Sequence, residues 1–155
     1  MTYRGRVFDG FELHDNAEFE IDQKLGKIKY IEDTNQAANK RDYNKFNVSD
    51  VTFLPGLIDT HIHFFGTESH SLGDWVLTSD VVLAVKSVYD AQKLLLSGFT
   101  AVRTMGDKVS LGLSKAEKDG SLVGPRIISS GCSIAESGGD FCPNAVCITK
   151  SLSRE

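Results

Sequence analysis

Over the first fifty-odd residues, apolar and polar positions alternate in short runs separated by turn residues, which is the pattern of strands with one wet face. Tyr3 to Phe8 reads as a strand closed by the turn dipeptide Asp9-Gly10, and Ala17-Glu18-Phe19-Glu20-Ile21 alternates apolar with acidic residues. Lys24-Leu25-Gly26-Lys27 reads as a reversal, with Ile28 to Ile31 as the strand returning from it. Asp33 to Asn44 is polar and is expected to form a surface loop. Phe46, Val48, Val51, Phe53 and Leu54 then lead back into apolar sequence and up to Pro55-Gly56.

From Pro55 onward the rhythm changes. Leu57, Ile58 and Ile62 are the apolar residues of a short buried strand punctuated by Gly66, and Thr67 to Trp75 reads as a loop. Either Ser79 or Asp80 can cap a helix running to about Ser97, because Val81, Val82, Val85, Val88, Ala91, Leu94 and Leu95 recur at near-helical spacing. Gly98 suits the position past its end. Phe99 to Arg103 reads as a second strand, Thr104 to Asp107 as the loop after it, and Val109 to Lys118 as a shorter helix closed by Asp119-Gly120. After Gly124-Pro125, Arg126 to Ser130 is the third strand. This β-α-β-α-β alternation predicts an α/β fold with a parallel sheet.

Composition narrows the class. The 155 residues are 41% hydrophobic and 25% charged, as in an ordinary globular protein. With a net charge of -4 and no basic stripe, nucleic acid is not an expected partner. No apolar run has the length of a membrane span, and MTYRGRVFDG lacks the apolar core of a signal peptide, so a cytoplasmic protein is expected. The three cysteines, Cys132, Cys142 and Cys147, are odd in number, clustered late and spaced unlike a zinc finger, and they read as reduced packing or loop residues.

The candidate chemistry lies in Pro55-Gly56-Leu57-Ile58-Asp59-Thr60-His61-Ile62-His63-Phe64-Phe65-Gly66. In a regular strand Asp59, His61 and His63 project to one side and Ile58 and Ile62 to the other. Two neighbouring imidazoles on a rigid element can ligate zinc or a similar divalent ion; equally, His-x-His can be two histidines satisfied by hydrogen bonds in a half-buried strand. Glu68, His70 and Asp74 sit in the following loop, where they either touch a substrate or are simply solvated. Arg103 and Arg126 are either carboxylate anchors or structural ion-pair partners at strand ends, Asp107 being a partner for Arg103. His14 reads as an exposed turn residue.

The stretch PGLIDTHIH resembles, without departure, the first barrel strand of the metal-dependent amidohydrolase superfamily, with its Pro-Gly-[Leu/Phe]-[Ile/Val]-Asp-x-His-x-His signature. Gly98 to Asp107, Gly124-Pro125-Arg126-Ile127 and Ser130-Gly131 are similar to the branch containing imidazolonepropionase-like enzymes, Xaa-Pro dipeptidase-like proteins and zinc carboxypeptidases. Two positions depart: Thr104 stands where that branch commonly has Asp, and Asp140 follows Gly138-Gly139 where it commonly has His.

The resemblance implies a (β/α)8 TIM-like barrel, of which this chain holds about three of eight strands. Residues 55–155 would be the first β/α units of that barrel, and residues 1–54 the N-terminal strands of a small composite β-sandwich. It implies metal-assisted hydrolysis of an amide or other C–N bond in a small-molecule, dipeptide-like or cyclic amide substrate, with zinc as the first candidate metal and His61 and His63 as ligands. It also implies further ligands, a bridging lysine, two histidines and an aspartate that acts as general base, at positions beyond Glu155. The chain is therefore expected to be an N-terminal portion requiring a C-terminal portion or another chain. The competing expectation is a non-catalytic fragment or scaffold.

Overall fold

The computed structural model describes residues 2–33, 45–66 and 72–133, and the chain divides into two compact units, Met1–Pro55 and Gly56–Glu155. In the first unit four strands, β1 (Thr2–Phe8), β2 (Leu13–Asp22), β3 (Lys27–Asp33) and β4 (Lys45–Phe53), form one sheet in the order β3-β2-β1-β4. Local turns make the antiparallel pairs β1/β2 and β2/β3. At the first turn Asp9 Oδ1 accepts the backbone N–H groups of Phe11 and Glu12, each at 2.8 Å, and Gly10 takes a φ of 106°. Those donors, and His14 Nε2 at 3.3 Å from Asp9 Oδ2, hold the Asp9 carboxyl below its ordinary range. His14 is thus half-buried in β2 rather than in an exposed turn.

The alternation of β2 works as its sequence requires. Ala17 and Phe19 are buried, with Tyr3 stacked on Phe19 at 5.3 Å and Phe53 against its edge at 5.0 Å, while Glu20 on the other face pairs with Lys29 at 2.9 Å. The parallel pairing of β1 with β4 has no local signal. The expected loop residues 34–44 lie outside the described residues.

In the second unit β5 (Leu57–Ile62), β6 (Phe99–Thr104) and β7 (Arg126–Ser129) form a parallel sheet in chain order. Between them run α1 (Leu72–Leu77), α2 (Asp80–Leu96) and α3 (Ser110–Lys118). Ser79 caps α2 by accepting the Val82 N–H, and Gly98, at φ 94°, turns the chain into β6. The core comprises Phe64, Trp75, Leu83, Ala91, Val102, Val109, Leu113, Leu122 and Ile127. On the opposite face of the sheet Ile58 and Ile128 are 65% and 54% exposed.

The structure adds the packed side of α2 and corrects one expectation. The buried stripe of α2 is Leu83, Ser87 and Ala91, flanked by Ala84, Val88 and Leu94, whereas Val81 and Val85 are 74% and 68% exposed. The helix is apolar on both sides, so spacing alone could not select the packed side. Part of the expected loop from Thr67 to Trp75 is helical, and Asp74 lies in the first turn of α1. This six-residue helix is held from a distance: Lys108 Nζ donates to the carbonyls of Trp75 and Val76 at 3.1 Å each and lies 4.8 Å from the centroid of the Trp75 ring.

Candidate metal centre

The strand that carries the two histidines is not regular. Asp59 pairs with Val102 and Ile62 with Thr104, so three residues of β5 span two of β6. Asp59 and Ile62 therefore share the helix-covered face with the buried Val102 and Thr104, whereas the exposed His61 turns to the open face and His63, one residue past the strand end, is half-buried. This corrects the even alternation expected from the sequence, in which Asp59 stood beside His61 and His63. Asp59 acts on the backbone instead: its Oδ1 accepts the His61 N–H at 3.0 Å, closing the irregular step.

Past the bulge, three consecutive residues of one segment are bonded to three consecutive residues of another. The Met105 N–H donates to Ile62 O at 3.0 Å, His63 Nδ1–H donates to Gly106 O at 2.9 Å, and the Phe64 N–H donates to Asp107 Oδ2 at 3.2 Å. A carbonyl can only accept, so the bond to Gly106 places the proton on Nδ1 and the lone pair on Nε2. The His63 ring is further held by Phe65, stacked at 5.3 Å with planes 3° apart, and Phe65 in turn meets the edge of Trp75 at 5.6 Å. The His61 ring is exposed, 5.4 Å from that of His63 and inclined at 71° to it.

The loop after β6 is itself anchored by the loop after β7. Ser133 Oγ donates to Met105 O at 3.1 Å and the Asp107 N–H donates to Gly131 O at 3.2 Å. Gly106, at φ 106°, has no room for a Cβ, which would collide with the side chain and backbone nitrogen of Ser133. Beneath this layer Thr104 Oγ1 donates to Ser110 Oγ at 3.1 Å, and Ser110 and Ser129 hydroxyls lie 2.8 Å apart. Thr104 thus belongs to a buried hydroxyl ladder tying β6, α3 and β7 together.

Other candidates fall away from the histidines. Asp107 serves backbone amides and not Arg103: besides Phe64, it accepts the N–H groups of Val109 at 3.0 Å and Ser110 at 2.6 Å. Arg103 is exposed on the open face of β6, and Arg126 is exposed at the opposite end of the parallel sheet from His61. Cys132 is an exposed free thiol. Glu68, His70, Gly138, Gly139, Asp140, Cys142 and Cys147 lie outside the described residues. Among the described residues no three His, Cys, Asp or Glu side chains converge as a ready-made metal site, and no helix is long and apolar enough to cross a membrane. The sequence reading missed the part played by Gly106 and Asp107; the usable signal was an aspartate two residues ahead of a helix N-cap, a position suited to accepting first-turn amides.

Parallel βα units carrying paired imidazoles at the carboxyl end of a strand define the α/β class in which chemistry is mounted at strand ends. An amidohydrolase family model matches residues 52–153, and the chain belongs to the amidohydrolase family. A solved Xaa-Pro dipeptidase with methionine bound in its active site is 30% identical, with a TM-score of 0.76 over 92% of this chain and 36% of its own. A prolidase complexed with N-methylphosphonate-L-proline is 27% identical, with a TM-score of 0.74 over 89% of this chain and 33% of its own. A further amidohydrolase is 26% identical, with a TM-score of 0.72 over 90% of this chain and 33% of its own. The chain thus spans about a third of the length of these structures. No match is found among curated protein sequences.

Proposed function

We propose that this chain is the N-terminal portion of a metal-dependent amidohydrolase that cleaves an amide or other C–N bond, and that His61 and His63 hold its divalent ion through Nε2. The observation that carries the reading is the fixed tautomer of His63. Its Nδ1–H bond to Gly106 O makes Nε2 the ring atom that carries the lone pair, on a ring 5.4 Å from that of His61. The donor set fits the group: two imidazoles at 5.4 Å between centroids suit zinc first among the divalent ions. When bound, such an ion lowers the pKa of a water toward about 7 and polarises the carbonyl to be attacked.

The residues of this chain contribute position. Asp59 fixes the backbone at His61, Gly106 fixes the His63 ring, and Phe65 covers one side of that ring. A catalytic zinc takes three protein ligands, so the remaining ligands and the general base come from a C-terminal portion or another chain. In this reading Leu57–Ser129 supplies the first three strands of a barrel, and Thr2–Phe53 one side of a composite β-sandwich. Dipeptides ending in proline are the first substrates to assay, because two of the similar structures are a prolidase and a Xaa-Pro dipeptidase.

The test is intact-mass and metal analysis of native material, with a hydrolysis assay on such dipeptides. The expected result is zinc and activity co-purifying with the rest of the fold. A 155-residue species alone, without metal or activity, supports a non-catalytic fragment.

A further inference from the structure

We infer that Asp107 is a positioning residue for His63, one carboxylate oxygen capping a helix while the other clamps the strand end that presents the ring. The inference rests on the reading of His63 as a ligand. Asp107 is 4% exposed, and the bonds to its carboxylate come from backbone amides. The two oxygens divide the work: Oδ1 accepts from Val109 and Ser110 at the start of α3, and Oδ2 accepts from Phe64, the residue after His63.

Helix capping needs a single oxygen, which Asn, Ser or Thr supplies as well as Asp. The bond from Phe64 needs the second. That bond fixes the backbone next to His63, and the peptide preceding Asp107 carries the Gly106 carbonyl that accepts the hydrogen bond from His63 Nδ1–H. Without Oδ2 the buried Phe64 N–H loses its acceptor, and the strand end moves against the loop that orients the ring. Ring orientation and tautomer are thus expected to follow the second oxygen, whereas helix stability follows the first.

Asp107→Asn separates the two. Its oxygen keeps the cap, while its NH₂ group faces the Phe64 N–H and cannot accept from it. Imidazole ¹⁵N spectra of the metal-free full chain, taken where histidines are neutral, read the effect directly. Unaltered Asp107 is expected to give His63 protonated at Nδ1. Asp107→Asn is expected to shift His63 toward the Nε2–H form, leaving the His61 signals and the helical circular dichroism unchanged, and to weaken zinc binding at least tenfold. Asp107→Thr, which caps with one oxygen, gives the same readout if the Asn variant does not fold. An unchanged His63 tautomer in a folded variant overturns the inference. A shifted tautomer with unchanged zinc affinity upholds the clamp and overturns the ligand reading of His63 instead.

Discussion

The His63 ring donates from Nδ1 to the carbonyl oxygen of Gly106, 2.9 Å away and 43 residues on in the chain. That bond depends on a glycine with φ 106° packed against Ser133. Gly106→Ala introduces a strained backbone together with a clash, and is expected to destabilise the chain by about 1–3 kcal/mol. Urea unfolding checks this; an unchanged midpoint would show that the loop relaxes freely.

The packed side of α2 is open to a paired test. Leu83→Ala empties a fully buried position and is expected to cost about 2–5 kcal/mol. Val85→Ser, on the exposed side, is expected to change stability by less than about 0.5 kcal/mol. Equal losses by chemical denaturation would mean that both sides are covered.

Asp9 gives a prediction in pH. Backbone N–H donors from Glu12 and Phe11, then His14, lower its carboxyl pKa below the ordinary 3.8. A depressed folded-state value means that its contribution to the β1–β2 turn is complete above the unfolded value and is lost as pH falls through the folded one. Titration of the Asp9 carboxyl carbon by NMR is expected to show a midpoint below 3.8; a midpoint at or above it would remove the turn bonds from the account.

Much of the fold was legible because its signals are local. Asp9-Gly10 marked a turn, Ser79 and Gly98 bounded α2, and the alternation through Phe19 marked β2. Family membership was legible in PGLIDTHIH, within the matched residues. What escaped depends on partners distant in sequence. The bulge after Asp59 exists only in register with β6, the short helix α1 leans on Lys108, and β1 pairs with β4 across a long connection. The face of α2 escaped for another reason: valines on both sides left its periodicity with two answers. Asp107 escaped because one side chain serves two elements, and only one of them is its neighbour in sequence.

Equilibrium dialysis against Zn²⁺ of native material that carries the rest of the fold, with His61→Ala and His63→Ala in this chain alongside, tests the central claim most directly. The account predicts one ion per chain, bound through both histidines, with affinity falling at least tenfold when either is removed, consistent with the loss of one of few ligands. Zinc binding of unchanged affinity in the doubly substituted chain, or none in the unaltered one, would contradict it.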